Sequence, residues 1–141
     1  MIQRIQSIWL LLAAITACIM YIFPLWSGTL SNGEVKNLFA AESLLFLALN
    51  SLIFILALVG IFLFKNRGRQ KFICVLGIIL SAVLVALEYD AVNNYKKEYT
   101  INQGAWAFCA LAPFLMIIFF FFAYRGISKD ESMLKEGDRL R

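Results

Sequence analysis

Residues 44–64 read LLFLALNSLIFILALVGIFLF and contain no charged side chain. Sixteen of these 21 residues are Leu, Ile, Phe or Val. Crossing a hydrocarbon layer of about 30 Å takes roughly 20 helical residues at about 1.5 Å each. Backbone groups in lipid must pair within their own segment or within a closed barrel, and this stretch lacks the alternation of a barrel strand. It therefore predicts a transmembrane helix.

Three further segments have comparable length and apolarity. With residues 44–64 they give four predicted helices, at about residues 8–25, 44–64, 72–91 and 105–124. The third segment is the weakest, because its uninterrupted apolar run ends at Leu87. Extending the helix to about residue 91 brings Glu88 to the outer headgroup level, which a carboxylate tolerates. Pro113 lies midway along the fourth segment and predicts a kink there.

The composition of the whole chain agrees with lipid as its solvent. Of the 141 residues, 62% are hydrophobic and 16% are charged, against about 45–50% apolar and about 25% charged in soluble domains. The expected fold is an all-α membrane protein with four transmembrane helices in an up-down-up-down bundle. A single membrane domain is expected to cover residues 1–141, with residues 125–141 forming a short tail.

The orientation of this bundle follows from its lysines and arginines. The connection between the second and third helices holds four cations in seven residues. Four helices place both termini and this turn on the same side of the membrane. Together with Arg4 and the five cations of the tail, that side carries ten of the 13 cations. By the positive-inside rule both termini and this turn are predicted to be cytoplasmic. The predicted determinants of topology are Lys65, Arg67, Arg69 and Lys71.

The other two connections are short and poor in charge, which is typical of outer loops. Ser31-Asn32-Gly33 is a turn signal between short extended stretches. Residues 98–102 alternate polar side chains with Tyr99 and Ile101. We expect either a small β-hairpin or a three-stranded patch on the outer side. In the tail, Ser128-Lys129-Asp130-Glu131 matches a capping box and predicts a short cytoplasmic helix.

Several chemistries are excluded or disfavoured by what the chain contains. Histidine is absent, which removes His-ligated haem, His-containing zinc sites and His general bases. Cys18, Cys74 and Cys109 are far apart in apolar runs and are interpreted as small hydrophobic residues. Residues 15–18 look like a lipoprotein cleavage box, but the apolar run continues beyond Cys18, so we expect no processing. No cofactor, metal or catalytic set is predicted, and nucleic-acid binding is not expected from so short a basic turn.

The opening sequence MIQRIQSIWLLLAA, residues 1–14, resembles the start of domain-of-unknown-function family 4293, a family of small Bacteroidota membrane proteins. The layout of four helices with a basic central turn near residues 67–69 is also similar, so the resemblance covers essentially the whole chain. It implies a multi-pass protein of the bacterial cytoplasmic (inner) membrane. It implies no activity and supplies no catalytic residues.

Four residues are candidates for helix packing or for a polar face: Asn50, Gly77, Ser81 and Glu88. On the third helix, Ser81 and Glu88 are seven residues apart and share a face. Gly77 and Ser81 form a small-xxx-small pattern that allows close helix approach. Asn50 lies near the centre of the second helix and can hydrogen-bond between helices. The face is interpreted either as bundle packing or as a polar track for a substrate.

Three hypotheses for function follow from these features. The leading one is a non-enzymatic structural or accessory protein whose partners are membrane lipid, other membrane proteins or further copies of itself. The rival is a small transporter or permease-like oligomer that uses the face from Ser81 to Glu88. A membrane enzyme comes third, and it requires Glu42, Glu88 and Asp90 to cluster at the outer surface, because acid and base groups must reach one substrate.

Overall fold

Four long helices and three short strands make up the computed structural model, which describes residues 3–30, 33–99, 101 and 103–139. Each helix contains a segment long and apolar enough to cross a membrane, which confirms the four predicted helices. In chain order the elements are α1 (Gln3–Ile22), β1 (Trp26–Thr29), β2 (Val35–Leu38), α2 (Leu44–Phe62), α3 (Arg67–Glu98), β3 (Gln103–Trp106) and α4 (Ala112–Arg139).

The helices pack in a ring, with α1 and α3 each in contact with both α2 and α4. Contacts between their ends give the relative directions. Gln6, near the start of α1, hydrogen-bonds to Asp130 late in α4. The Gln70 side chain, near the start of α3, donates to the carbonyl of Gly60 late in α2, at 2.9 Å. Successive helices therefore run up, down, up and down, as the sequence predicts.

The interior of the bundle combines small residues, several of them on α1, with larger apolar side chains. Ala13 and Ala17 are fully buried and allow the neighbouring helices to approach closely. Leu84 and Phe120 fill the space between α3 and α4. Large apolar side chains are also exposed along the outer faces of all four helices, for example Ile8, Leu44, Phe62, Phe72, Ile79, Phe114 and Ile118.

Helix α3 is longer than the apolar run that predicts it. It spans 32 residues, or about 48 Å, whereas the sequence predicts only residues 72–91. Its last turns carry Val92 and Tyr95, which are buried against the small sheet. Tertiary packing therefore continues the helix beyond its apolar segment.

Helix α4 begins later and ends later than predicted. Residues 103–106 form β3, so the predicted helical start near residue 105 is wrong, and a short 3-10 turn at Phe108–Leu111 leads into the helix. Pro113 is thus the second residue of α4, where its missing N–H removes no intrahelical bond. The helix continues to Arg139, so the predicted short helix of the tail is part of α4.

The strands form one antiparallel sheet in the order β2-β1-β3. This confirms a three-stranded patch, but the third strand lies at Gln103–Trp106 and not in the stretch 98–102 from which it is predicted. Trp26 lies opposite Leu38 in β2 and opposite Trp106 in β3. Gly33 has a φ of 84°, a left-handed conformation that glycine adopts without steric cost, in the turn between β1 and β2.

The Trp26 side chain packs between this sheet and the end of α3. Its indole meets Tyr95 edge to face, with ring centroids 6.2 Å apart. It also lies across two glycines: a Cβ atom added at Gly104 would be 1.9 Å from ring atom Cζ2, and one at Gly28 would be 2.2 Å from Cη2. Side chains larger than glycine would therefore displace the ring. We call the buried group beneath the sheet the Trp26 cluster; it consists of Trp26, Leu38, Val92, Tyr95 and Ile101.

Candidate functional site

The polar face predicted on α3 is turned into the bundle. Gly77, Ser81 and Glu88 are all buried on α3, together with Cys74. A Cβ atom added at Gly77 would lie 2.7 Å from the ring of Phe120, so this glycine lets α4 approach. The Ser81 hydroxyl is fully buried and has no hydrogen-bond partner.

Asn50 lies at a different interface, between α2 and α1. Its side chain is fully buried, and its Nδ2 donates to the carbonyl of Ala17 at 3.1 Å. The Oδ1 atom has no partner. Asn50 therefore makes one bond between helices and is separate from the polar face of α3.

Replacing Asn50 with leucine is expected to lower the stability of the bundle by about 0.6–1.7 kcal/mol, the range measured for such bonds in membranes. The cost is small because the substitution also removes the unsatisfied Oδ1 atom. Thermal unfolding in mild detergent measures the change, with Leu52→Ala on the exposed side of α2 as control. An unchanged melting temperature for Asn50→Leu would remove Asn50 from the account of packing.

A cleft opens beside Glu88, where the end of α3 faces the segment that joins β3 to α4. Its volume is about 450 Å³. Glu88 is only 3% exposed, and its Oε1 atom is buried without a hydrogen-bond partner. The other lining residues are almost entirely apolar or aromatic. We call this space the Glu88 cleft; it is lined by Val85, Glu88, Tyr89, Trp106, Ala107, Phe108, Ala110, Leu111 and Phe114.

The side chain of Phe108 lines this cleft and projects from the protein surface. It is 95% exposed, in the 3-10 turn before α4. A second apolar cleft of about 450 Å³ lies on the other side, between the same turn and the end of α1. Thr16, Phe23 and Leu115 are among its lining residues. An exposed aromatic ring between two apolar clefts is a surface suited to apolar ligands rather than to water.

The three carboxylates of the enzyme hypothesis are not gathered in one cleft. Glu42 lines a separate cleft of about 380 Å³ together with Glu98, whereas Glu88 lines the Glu88 cleft. Asp90 is exposed. Glu42 and Glu88 therefore line different clefts, and neither of these two clefts includes Asp90 among its lining residues.

The basic turn is mostly open to solvent. Lys65 and Arg69 are exposed, and Arg67 is partly exposed. Lys71 forms an ion pair with Glu131 on α4. This pair links the start of α3 to the late part of α4, beside the bond from Gln6 to Asp130.

Sequence reasoning identified Glu88 but missed the residues that form its cleft. Tyr89 and Trp106 are aromatic residues near the outer ends of the predicted third and fourth helices, and this position is a partial signal for the cleft. Phe108 carried no signal, because its position depends on the turn that precedes α4. The fourth helix is predicted to begin near residue 105, within β3, and this prediction conceals the part of the cleft wall that Trp106 forms.

Comparison with known proteins gives one match. The family model described as a domain of unknown function (DUF4293) matches residues 2–140. No curated protein and no solved structure matches the chain. Because the family model covers nearly the whole chain, this protein belongs to the DUF4293 family.

Proposed function

We propose that this protein is a non-enzymatic accessory or structural protein of the bacterial cytoplasmic membrane, and that it binds membrane lipid in the Glu88 cleft. The observation that carries the proposal is the cleft itself. It is lined by apolar and aromatic side chains and is bordered by exposed ones, including Phe108 and Leu111. Such a surface is stable in water only when covered, and in a bilayer the covering molecules are lipids.

The membrane setting is supported by the outer faces of the helices. Long apolar side chains are exposed on all four helices, including Leu44, Phe62 and Phe72. The basic turn and the late part of α4 lie at the end of the bundle away from the sheet, where Lys71 pairs with Glu131. We therefore propose cytoplasmic termini and a sheet on the outer side, following the positive-inside rule.

The depth of the cleft agrees with this orientation. Glu88 follows Lys71 by 17 residues, or about 26 Å along α3. If Lys71 lies at the inner boundary of a hydrocarbon layer of about 30 Å, Glu88 lies just inside the outer boundary. The cleft thus opens where lipid head groups and the first part of their chains are found.

Binding rather than catalysis is favoured by the contents of the cleft. Glu88 and Tyr89 are the titratable side chains among its described lining residues. General acid–base catalysis requires a proton donor and a proton acceptor, each within hydrogen-bond reach of the same substrate. The Glu88 cleft offers one buried carboxyl in an apolar wall, which is an arrangement for holding an amphiphile.

Filling the cleft tests this function. Val85 lines the cleft, whereas Val83 is exposed on α3 and does not. We expect Val85→Trp to reduce the lipid that co-purifies in mild detergent, counted by native mass spectrometry, by about half or more, because the larger ring occupies the space of the ligand. Val83→Trp is the matched control and should retain the wild-type amount. A wild-type protein that carries no lipid, or equal lipid on both variants, would contradict the proposal.

A small transporter is the second candidate, and the buried carboxyl of Glu88 favours it. Ionisable groups inside membrane proteins often mark the paths of ions and substrates. However, the three clefts described above all lie at the end of the bundle that carries the sheet. Uptake of a fluorescent lipophilic amine into proteoliposomes separates the two functions. If the protein is an accessory protein, the proteoliposomes take up no more amine than protein-free liposomes do. If it is a transporter, they take up more, and Glu88→Gln abolishes the difference.

A further inference from the structure

We propose that Glu88 is the counter-charge for the ammonium group of an aminophospholipid bound in the Glu88 cleft. This inference rests on the proposed function, because it names the class of lipid that the cleft selects. The head group would lie against the buried carboxyl, and the acyl chains would leave the cleft past Leu111 and Phe114 toward the bilayer.

One oxygen of the Glu88 carboxyl has no partner among the described residues. This Oε1 atom is buried with no hydrogen-bond donor in range, and no lysine or arginine among those residues forms an ion pair with it. An unpaired buried carboxylate is costly, and a partner that brings both charge and donors lowers this cost most. An ammonium group brings a positive charge, and in a primary amine it also brings three N–H donors.

The aromatic side chains around Glu88 favour the same head group. Tyr89, Trp106 and Phe108 line the cleft beside the carboxyl. Cations bind the faces of aromatic rings within about 6 Å of the centroid, and Trp is the strongest partner. Hydroxyl and glycerol head groups gain no such attraction. A cleft lined by a buried carboxyl and three aromatic side chains therefore favours an ammonium.

The chain makes this kind of contact elsewhere at the same end of the bundle. The Lys36 ammonium lies 3.6 Å from the centroid of the Tyr99 ring. The Lys96 ammonium lies 5.3 Å from the Trp26 ring. Both are amines held on aromatic faces, as we propose for the lipid.

The size and depth of the cleft fit the head group of a lipid rather than a whole molecule. Its volume of about 450 Å³ lies in the lower part of the range for ligand sites, about 300–1,000 Å³. Because the lining of the cleft is almost entirely apolar, an amphiphilic membrane component is a better occupant than a soluble amine. Its position near the outer headgroup boundary is where the ammonium of such a lipid resides.

A competition between lipids of identical acyl chains tests this inference. Full-length protein is reconstituted in vesicles of equimolar phosphatidylethanolamine and phosphatidylglycerol, and the retained lipids are then counted by native mass spectrometry. We expect phosphatidylethanolamine to exceed phosphatidylglycerol by about tenfold or more, the scale of one charge-assisted contact. Glu88→Gln should bring the ratio close to one. Asp90→Asn, which removes an exposed carboxylate two residues away, should keep the wild-type ratio.

A second arm needs no mutation and so does not depend on the folding of Glu88→Gln. N-acetylated phosphatidylethanolamine has the same chains but lacks the ammonium charge, and the wild-type protein should retain it about tenfold less. Equal retention of the acetylated lipid would overturn the inference, as would displacement of phosphatidylethanolamine by an equimolar lipophilic amine. If lipid is retained and lost in Val85→Trp but shows no head-group preference, lipid binding stands and this inference fails.

Discussion

Replacing Trp26 with alanine is expected to lower the free energy of unfolding by about 3–5 kcal/mol, the range for truncating a large buried aromatic side chain. Trp26 is 1% exposed and contacts both the sheet and the end of α3. Its loss leaves a cavity over Gly28 and Gly104 that two short strands cannot close. Thermal unfolding in detergent measures the loss, and amide exchange should show the sheet opening first.

The control is its cross-strand neighbour. Trp106 lies opposite Trp26 in the sheet but is 50% exposed. Trp106→Ala should cost about 1 kcal/mol or less, because surface substitutions usually change stability little. Equal losses for the two variants would contradict the role assigned to the Trp26 cluster. Gly104→Ala should be destabilising as well, by about 1–3 kcal/mol, since its Cβ atom would overlap the indole.

The substitution Gly77→Leu is expected to separate α3 from α4 and to destabilise the bundle by about 3 kcal/mol, the upper end of the usual range for overpacking. The ring of Phe120 already lies where the new Cβ atom must go. Phe120 is fully buried and cannot swing outward without opening the core. The measurement is unfolding in detergent, accompanied by size-exclusion chromatography to detect aggregated material.

The same helix offers a matched control at Gly68. Beyond its own stretch of helix, a Cβ atom added there would meet no atom of the described residues within 4 Å. Gly68→Leu should be neutral or slightly stabilising, because glycine is a poor helix former. Adding Phe120→Ala to Gly77→Leu should restore part of the loss, and the coupling energy of this double-mutant cycle measures the contact directly. Strictly additive effects would show that Gly77 and Phe120 do not interact.

The existence of the four helices could be predicted because apolar length is a local property of the sequence. The end of α3 and the start of α4 could not be predicted in this way. Val92 and Tyr95 continue α3 only because Trp26, more than 60 residues earlier in the chain, packs against them. The fourth helix is predicted to begin near residue 105, yet residues 103–106 pair with β1, a partner that no local pattern reveals.

The candidate site, too, could be predicted from the sequence only in part. The spacing of Ser81 and Glu88 placed both residues on one helical face, and both are buried on α3. The cleft beside Glu88 depends on the path of the chain from Trp106 to Leu111, which pairing with β1 determines. Its aromatic walls are therefore a consequence of tertiary structure. The ion pair between Lys71 and Glu131 was missed for the same reason, since its partners are 60 residues apart.

The most direct test of the account is the position of four single cysteines relative to the membrane. In a cysteine-free background, intact spheroplasts are treated with a membrane-impermeant maleimide before and after permeabilisation. Glu34→Cys and Lys97→Cys should react in intact spheroplasts, whereas Gly68→Cys and Asp138→Cys should react only after permeabilisation. Reaction of the cysteine at position 68 in intact spheroplasts would contradict four spans with cytoplasmic ends.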